Sequence, residues 1–127
     1  MGLAPFTGGH SNLSPNYRDV GEKIAADFLT KKGYKILEKN FRFGRIEVDI
    51  IASKGDTIVF VEVKRREKAD FGTPESFVDG KKQARIMKIA RFYMAEKGLF
   101  ETYNVRFDVV SITGKEVVHI EGAYREQ

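Results

Sequence analysis

The sequence predicts an α/β fold: a mixed β-sheet of about five strands flanked by α-helices on its faces. Three observations predict it. Apolar residues recur at helical spacing near residues 20–29 and 81–97. Residues 45–66 and 104–112 alternate with the two-residue period of strands. Glycine- or proline-containing corners separate these segments. The order is helix, three strands, long helix, two strands.

Each element has its own grounds. Residues 1–13, MGLAPFTGGHSNL, lack periodicity and are expected to form a flexible leader, with residues 14–127 as a single domain. Ser14-Pro15 supplies a capping hydroxyl and a proline at the first helical position. Val20, Ile24 and Phe28, widened by Ala25 and Leu29, form the apolar arc, and Gly33 ends the helix. Glu22 falls at the edge of that arc, where it can reach solvent or border a cleft. Residues 35–42 are read as a first strand. In 45–53, Ile46, Val48 and Ile50 are placed on one face and Glu47, Asp49 and Ile51 on the other. A hairpin at Lys54-Gly55 leads into 57–66, with Val59, Val61 and Val63 opposite Ile58, Phe60, Glu62 and Lys64. After a loop at 67–73, Thr73-Pro74 opens a helical stretch to about Lys97, with a break near Gly80. Residues 104–112 and 115–120 are the last strands.

Composition narrows the function. The chain has 127 residues, 42% hydrophobic and 31% charged, which suits a globular domain and not a disordered one. It contains no cysteine, which excludes disulfides, thiolate metal sites and a cysteine nucleophile, and fits a cytoplasmic setting. Apolar runs are only a few residues long, so no membrane span is expected, and no secretory signal is visible. The net charge of +4 is informative only if the positive residues cluster.

The centre of interest is the face shared by Glu47, Asp49, Glu62 and Lys64. Strand interiors disfavour acids and lysine. A merely solvated face would not also carry Ile51, Ile58 and Phe60, so this mixture suits a cleft floor. A two-residue hairpin at Lys54-Gly55 would set Glu47 opposite Glu62, with Asp49 diagonal to Glu62 at roughly 7–8 Å. A three-residue loop would send Asp49 and Glu62 to opposite faces. Two converging carboxylates would hold Mg²⁺ or Mn²⁺, which take oxygen ligands and leave positions for water and phosphate. Lys64 could then orient the attacking water or stabilise the oxyanion. The plainer alternative is a set of ion-paired acids at a sheet edge.

The blocks GEKIAADFLTKKGYKILEKNFR, IEVDIIA, IVFVEVKRR, GTPESFV, KKQARI and RFDVVSI together resemble the bacterial YraN-like family over residues 20–124. That resemblance implies a restriction-endonuclease-like fold, similar to archaeal Holliday-junction resolvases. It implies Asp49 as the aspartate of a PD-(D/E)xK signature and Glu62 and Lys64 as its ExK, the three catalytic candidates. It adds Glu22 to Asp49 and Glu62 as metal candidates, and Gln83 as a polar position on the following helix. Glu47 stands between ligand and neighbour. The chain departs from the pattern at Arg45 and Val48 and lacks the proline before the aspartate.

Arg65 and Arg66 continue the ExK strand, and Lys81, Arg85 and Lys88 lie close together on the long helix, with Lys82 and Arg91 flanking them. Only Glu96 opposes six positive residues from Lys81 to Lys97. This is either a phosphate-facing stripe or a solvated helix face; unmixed sign favours phosphate. Gln83 either reaches the cleft or is a satisfied core amide. Phe71 and Tyr103 suit packing better than base stacking, His10 and His119 suit structural roles, and Arg106 with Asp108 suits an ion pair. The expected function is a Mg²⁺- or Mn²⁺-dependent nuclease acting on DNA, branched or structured, with a homodimer as the assembly for paired strands. The alternatives are a non-catalytic nucleic-acid-binding protein on the same fold, and an interaction protein with no nucleic-acid role.

Overall fold

The computed structural model describes residues 17–66 and 79–125. Within them the elements follow the expected order: α1 (Tyr17–Lys31), β1 (Lys35–Phe43), β2 (Ile46–Lys54), β3 (Thr57–Arg66), α2 (Gly80–Glu96), β4 (Asn104–Thr113) and β5 (Glu116–Tyr124). The leader, the Ser14-Pro15 and Thr73-Pro74 helix starts, the 67–73 loop and Phe71 lie outside the described residues.

Local chemistry fixes the helix ends. Gly33, at φ +95°, closes α1, and the Tyr34 amide returns to the Leu29 carbonyl at 3.0 Å. The expected break near Gly80 is the start of α2: the Asp79 side chain caps it by accepting from the Lys82 amide at 2.8 Å. That cap sets the rotation of the first turn and so the direction of Lys82.

The strands form one sheet in the order β1-β2-β3-β4-β5. β3 and β4 are parallel and the other neighbours antiparallel. The parallel pair requires a crossover, which α2 supplies. The fold is thus a five-stranded mixed sheet with two helices, as the sequence predicts. α1 packs Ala25, Ala26 and Leu29 on Ile50, Val59, Val61 and Val110. α2 packs Ile86, Ile89, Tyr93 and Met94 on Val48, Ile51, Ile58 and Phe60. Tyr103 is half-buried against the α2-side core, in keeping with packing.

Two details of the hairpin differ from expectation. The turn residues are Gly55-Asp56, and the register runs from Lys54↔Thr57 to Ile50↔Val61. This is a two-residue shift from the expected pairing, so parity is kept. Glu47 does not face Glu62; one step past the last pair, Asp49 comes level with Glu62. The turn moved because Gly55, at φ +59°, serves the first central position of the turn, where a positive φ is required.

The second correction concerns β2. Ile46 and Val48 pack with Ile51 on the α2 side, while Ile50 packs on the α1 side. Strict alternation therefore slips at Asp49. Across the strand pair, Asn40 sits between the Lys39↔Ile50 and Phe41↔Val48 pairs at φ +53°, the left-handed region that asparagine tolerates better than most residues. The β1–β2 register continues unbroken there, so the slip is invisible to a period-two count.

Candidate functional site

The slip in β2 and the end of β2–β3 pairing open a cleft of about 380 Å³. Its lining comes from α1 (Gly21, Glu22), β2 (Glu47, Asp49), β3 (Glu62 to Arg65) and α2 (Lys82). α1 lies against β3 at Gly21, where a Cβ would stand 3.4 Å from the Arg65 side chain. That approach brings Glu22 to the cleft.

Each acid has a definite setting. Asp49 is buried, and its Oδ2 accepts from the Val63 amide at 2.8 Å. The side chain thereby bridges the two strands where their own ladder stops. Glu62 is 3% exposed, and Lys82 Nζ lies 2.9 Å from its Oε2. That distance makes an ion pair. The direction of approach is poor, and Oε2 has no aligned hydrogen-bond donor among the described residues. Glu22 is also buried, and both its oxygens accept from Asn40 Nδ2, at 2.8 and 3.0 Å. Glu47 pairs with Arg42 at 3.1 Å.

Lys64 is half-buried at the same wall. Burial holds its ammonium below the ordinary value, and the adjacent Lys82 charge lowers it further, while Glu62 and Asp49 pull it back up. Two lysines and two acids thus share a partly dry cleft.

The expected catalytic group Asp49, Glu62 and Lys64 lines one cavity, together with Glu22, Glu47 and Arg65. Gln83 is half-buried and does not line it; Arg66 is half-buried just beyond it. Lys81, Arg85 and Lys88 are exposed on α2. Lys82 does not stand with them, because it turns into the cleft. Among the described residues no three His, Cys, Asp or Glu side chains gather closely enough to hold a metal ion together. Glu22, Asp49 and Glu62 share the cavity without converging on one point.

One participant was missed from sequence, and one has a contact that the sequence did not suggest. Asn40 fixes Glu22, and its only signal was an asparagine inside a strand. Lys82 was expected as a nucleic-acid contact flanking the helix stripe; its pairing with Glu62 was not foreseen, and the signal was a lysine in the first turn of a helix, where the macrodipole disfavours a cation.

A second polar cluster lies elsewhere on the sheet. Asp108 is fully buried and accepts from Arg106 Nε at 2.9 Å, Arg106 Nη2 at 2.8 Å and the Gly122 amide at 3.0 Å. His119 Nε2 is 2.7 Å from its Oδ2, and Lys32 Nζ is 2.8 Å from His119 Nδ1. With Lys32 donating to Nδ1, the Nε2 proton points to Asp108. Arg106 also donates to Tyr34 Oη. The ion pair expected for Arg106 and Asp108 is present, and His119 is built into it.

The fold and site define an α/β protein whose sheet splits around a carboxylate- and lysine-lined cleft. The chain belongs to the uncharacterised protein family UPF0102, the YraN-like family, whose model matches residues 21–112. It is 51% identical to a UPF0102 protein of Thermodesulfovibrio yellowstonii over 104 residues, 82% of this chain and 91% of that one. A UPF0102 protein of Caldanaerobacter subterraneus subsp. tengcongensis is 48% identical over 83% of this chain and 91% of its own. One from Syntrophus aciditrophicus is 51% identical over 76% and 75%. Among the described residues no helix is long and apolar enough to cross a membrane.

Proposed function

We propose that the protein is a Mg²⁺- or Mn²⁺-dependent nuclease of the restriction-endonuclease-like, PD-(D/E)xK type, acting on DNA. The observation that carries this reading is the meeting of Asp49, Glu62 and Lys64 in one cleft, with a buried Glu62 oxygen that lacks an aligned donor. An oxygen in that state suits a cation. The donor set is all carboxylate, and Mg²⁺ binds through one or two carboxylates, filling its other positions with water and phosphate oxygen. Asp49 and Glu62 are the pair that would hold it, and Glu22, fixed by Asn40, would add negative charge beside them.

A divalent ion held there would neutralise charge on the phosphoryl group as the bond breaks. The chain's own groups do the rest. The Lys64 ammonium, kept short of full hydration, positions an attacking water and faces the developing oxyanion. Arg65 at the cleft, with Lys81, Arg85 and Lys88 on α2, would hold the sugar–phosphate backbone without reading its sequence. Branched or structured DNA is the proposed substrate class. A two-fold homodimer is the assembly that would present two clefts to paired strands.

The second reading is a non-catalytic nucleic-acid-binding protein on the same fold. The Lys82–Glu62 ion pair favours it, since a lysine already sits against the key acid. Cleavage of single strands, duplexes, flaps and four-way junctions in Mg²⁺ or Mn²⁺ separates the two. The nuclease reading expects cutting by wild type and none by Glu62→Gln or Lys64→Ala. Salt-sensitive binding without cutting supports the second reading; equal cutting by all three proteins contradicts the first.

A further inference from the structure

We infer that Lys82 is a resident counter-cation of the cleft: it neutralises Glu62 until a divalent ion arrives, then passes to the phosphate that the ion brings. This inference rests on the nuclease reading and assigns within it a role that the ExK pattern does not contain.

Four observations carry it. Lys82 Nζ is 2.9 Å from Glu62 Oε2, so a positive charge already occupies the place where a cation would bind. The pairing is loosely made, because that oxygen has no aligned donor, and the Lys82 side chain remains 35% exposed while Glu62's is 4% exposed. A long, flexible, partly solvated lysine can therefore leave without unfolding anything. Third, Lys82 lies in the first turn of α2, held by the Asp79 cap, with no acidic residue in that turn. Helix N-termini favour anions and disfavour cations, so a lysine there is badly placed for helix stability and well placed for an anion arriving at the same end. Fourth, Lys64 lines the same cleft, so two ammonium groups crowd the same acids. Moving Lys82 outward onto phosphate would relieve that crowding.

The energetics run in the same direction. A divalent ion attracts the carboxylates about twice as strongly as an ammonium at equal distance and permittivity. Without nucleic acid the two cations compete for Glu62. With it, the phosphate supplies Lys82 with a new partner, and competition becomes cooperation between metal and substrate.

The test uses the full chain and measures Mn²⁺ affinity by calorimetry without nucleic acid, then affinity for a 20-base-pair duplex in Ca²⁺. Wild type is compared with Lys82→Met, Lys82→Gln, Glu62→Gln and Lys23→Met, with folding checked by circular dichroism. Lys23, 75% exposed on α1 beside Glu22, controls for the mere loss of a positive charge. The expected result is Mn²⁺ binding about fivefold tighter in both Lys82 variants, corresponding to loss of a competing ion pair worth about 1 kcal/mol. Duplex binding should weaken about threefold in the same proteins, and Lys23→Met should change neither by more than about twofold. Opposite signs for metal and duplex are the signature. Lys82 variants that bind Mn²⁺ no tighter than Lys23→Met overturn the inference and leave the nuclease reading standing, provided Glu62→Gln still loses Mn²⁺. Unchanged duplex affinity overturns the transfer to phosphate. No Mn²⁺ binding by wild type, or undiminished binding by Glu62→Gln, overturns both.

Discussion

Glu62 and Asp108 are both buried carboxylates on neighbouring parallel strands, yet their surroundings are opposite. Asp108 is 0% exposed and receives donors from Arg106, His119 and the Gly122 amide. Glu62 is 3% exposed and faces a cleft, with one loosely approached lysine and an oxygen lacking an aligned donor. A buried charge left short of hydrogen bonds destabilises a fold, whereas a saturated one can be neutral or better. The contrast teaches that burial alone does not separate an acid completed by the protein from one left open to a ligand. What separates them is whether the protein itself completes the acid's coordination.

The largest expected effect comes from exchanging the two acids' fates. Glu62→Gln should lower cleavage more than about 100-fold, since even residues that only support metal ligands are worth about 10–100-fold. The same change should leave urea-unfolding stability equal or higher, because it removes a poorly satisfied buried charge. Asp108→Asn should do the reverse, lowering stability by about 3 kcal/mol as Arg106 loses a charged partner, with cleavage by the folded fraction nearly unchanged. If both variants behave alike in both assays, the distinction between the two acids fails.

Asn40→Gly sharpens the comparison inside the cleft. Glycine accepts the φ of +53°, so no backbone strain is added, but buried Glu22 loses its Asn40 hydrogen bonds and stability should fall by about 1–3 kcal/mol. Mn²⁺ affinity measured by calorimetry should drop about tenfold. Unchanged affinity would remove Glu22 from the site.

The pH dependence follows from Asp108. Burial alone raises its carboxyl pKa, but the His119, Arg106 and Gly122 hydrogen bonds outweigh burial and hold it below the ordinary 3.8. Its stabilisation is therefore complete above 3.8 and is lost as the pH falls through the lower folded value. Urea unfolding followed from pH 6 downward should show stability falling below that point in wild type, and a flatter curve in Asp108→Asn. Parallel curves would mean that the network does not titrate with folding.

The smallest effect belongs to the exposed helix face. Arg85→Ala should reduce the slope of log affinity for duplex DNA against log salt by about 1 and weaken binding to all sequences alike. An unaltered slope would return the stripe to the status of a solvated face.

Much of this molecule was legible beforehand, for identifiable reasons. The element order followed from periodicity and glycine punctuation, because Gly33 and the alternating Val59-Val61-Val63 run each have a single reading. The cleft acids were legible because aspartate, glutamate and lysine on otherwise apolar strands conflict with strand propensity. The β2 faces were not, since the alternation slips at Asp49, between Val48 and Ile50, and nothing in the residue types there marks it. Glu47 was expected opposite Glu62 because the turn was placed one residue early; it lines the cleft all the same, paired with Arg42. The Lys82–Glu62 pairing was not legible because angular position on a helix says which residues cluster and not which one a neighbouring strand will meet. The Asp108 network joins α1, β4 and β5 and became visible only once those elements were packed.

Thermal unfolding with and without Mn²⁺, in wild type, Asp108→Asn and Glu62→Gln, tests most directly whether Glu62 is the acid left for a cation. At 100 times the dissociation constant, bound metal adds about 2.7 kcal/mol, enough to move the transition by several degrees. Wild type and Asp108→Asn should both shift upward and Glu62→Gln should not. A wild-type transition unmoved by Mn²⁺, or an equal shift in all three proteins, would contradict the account.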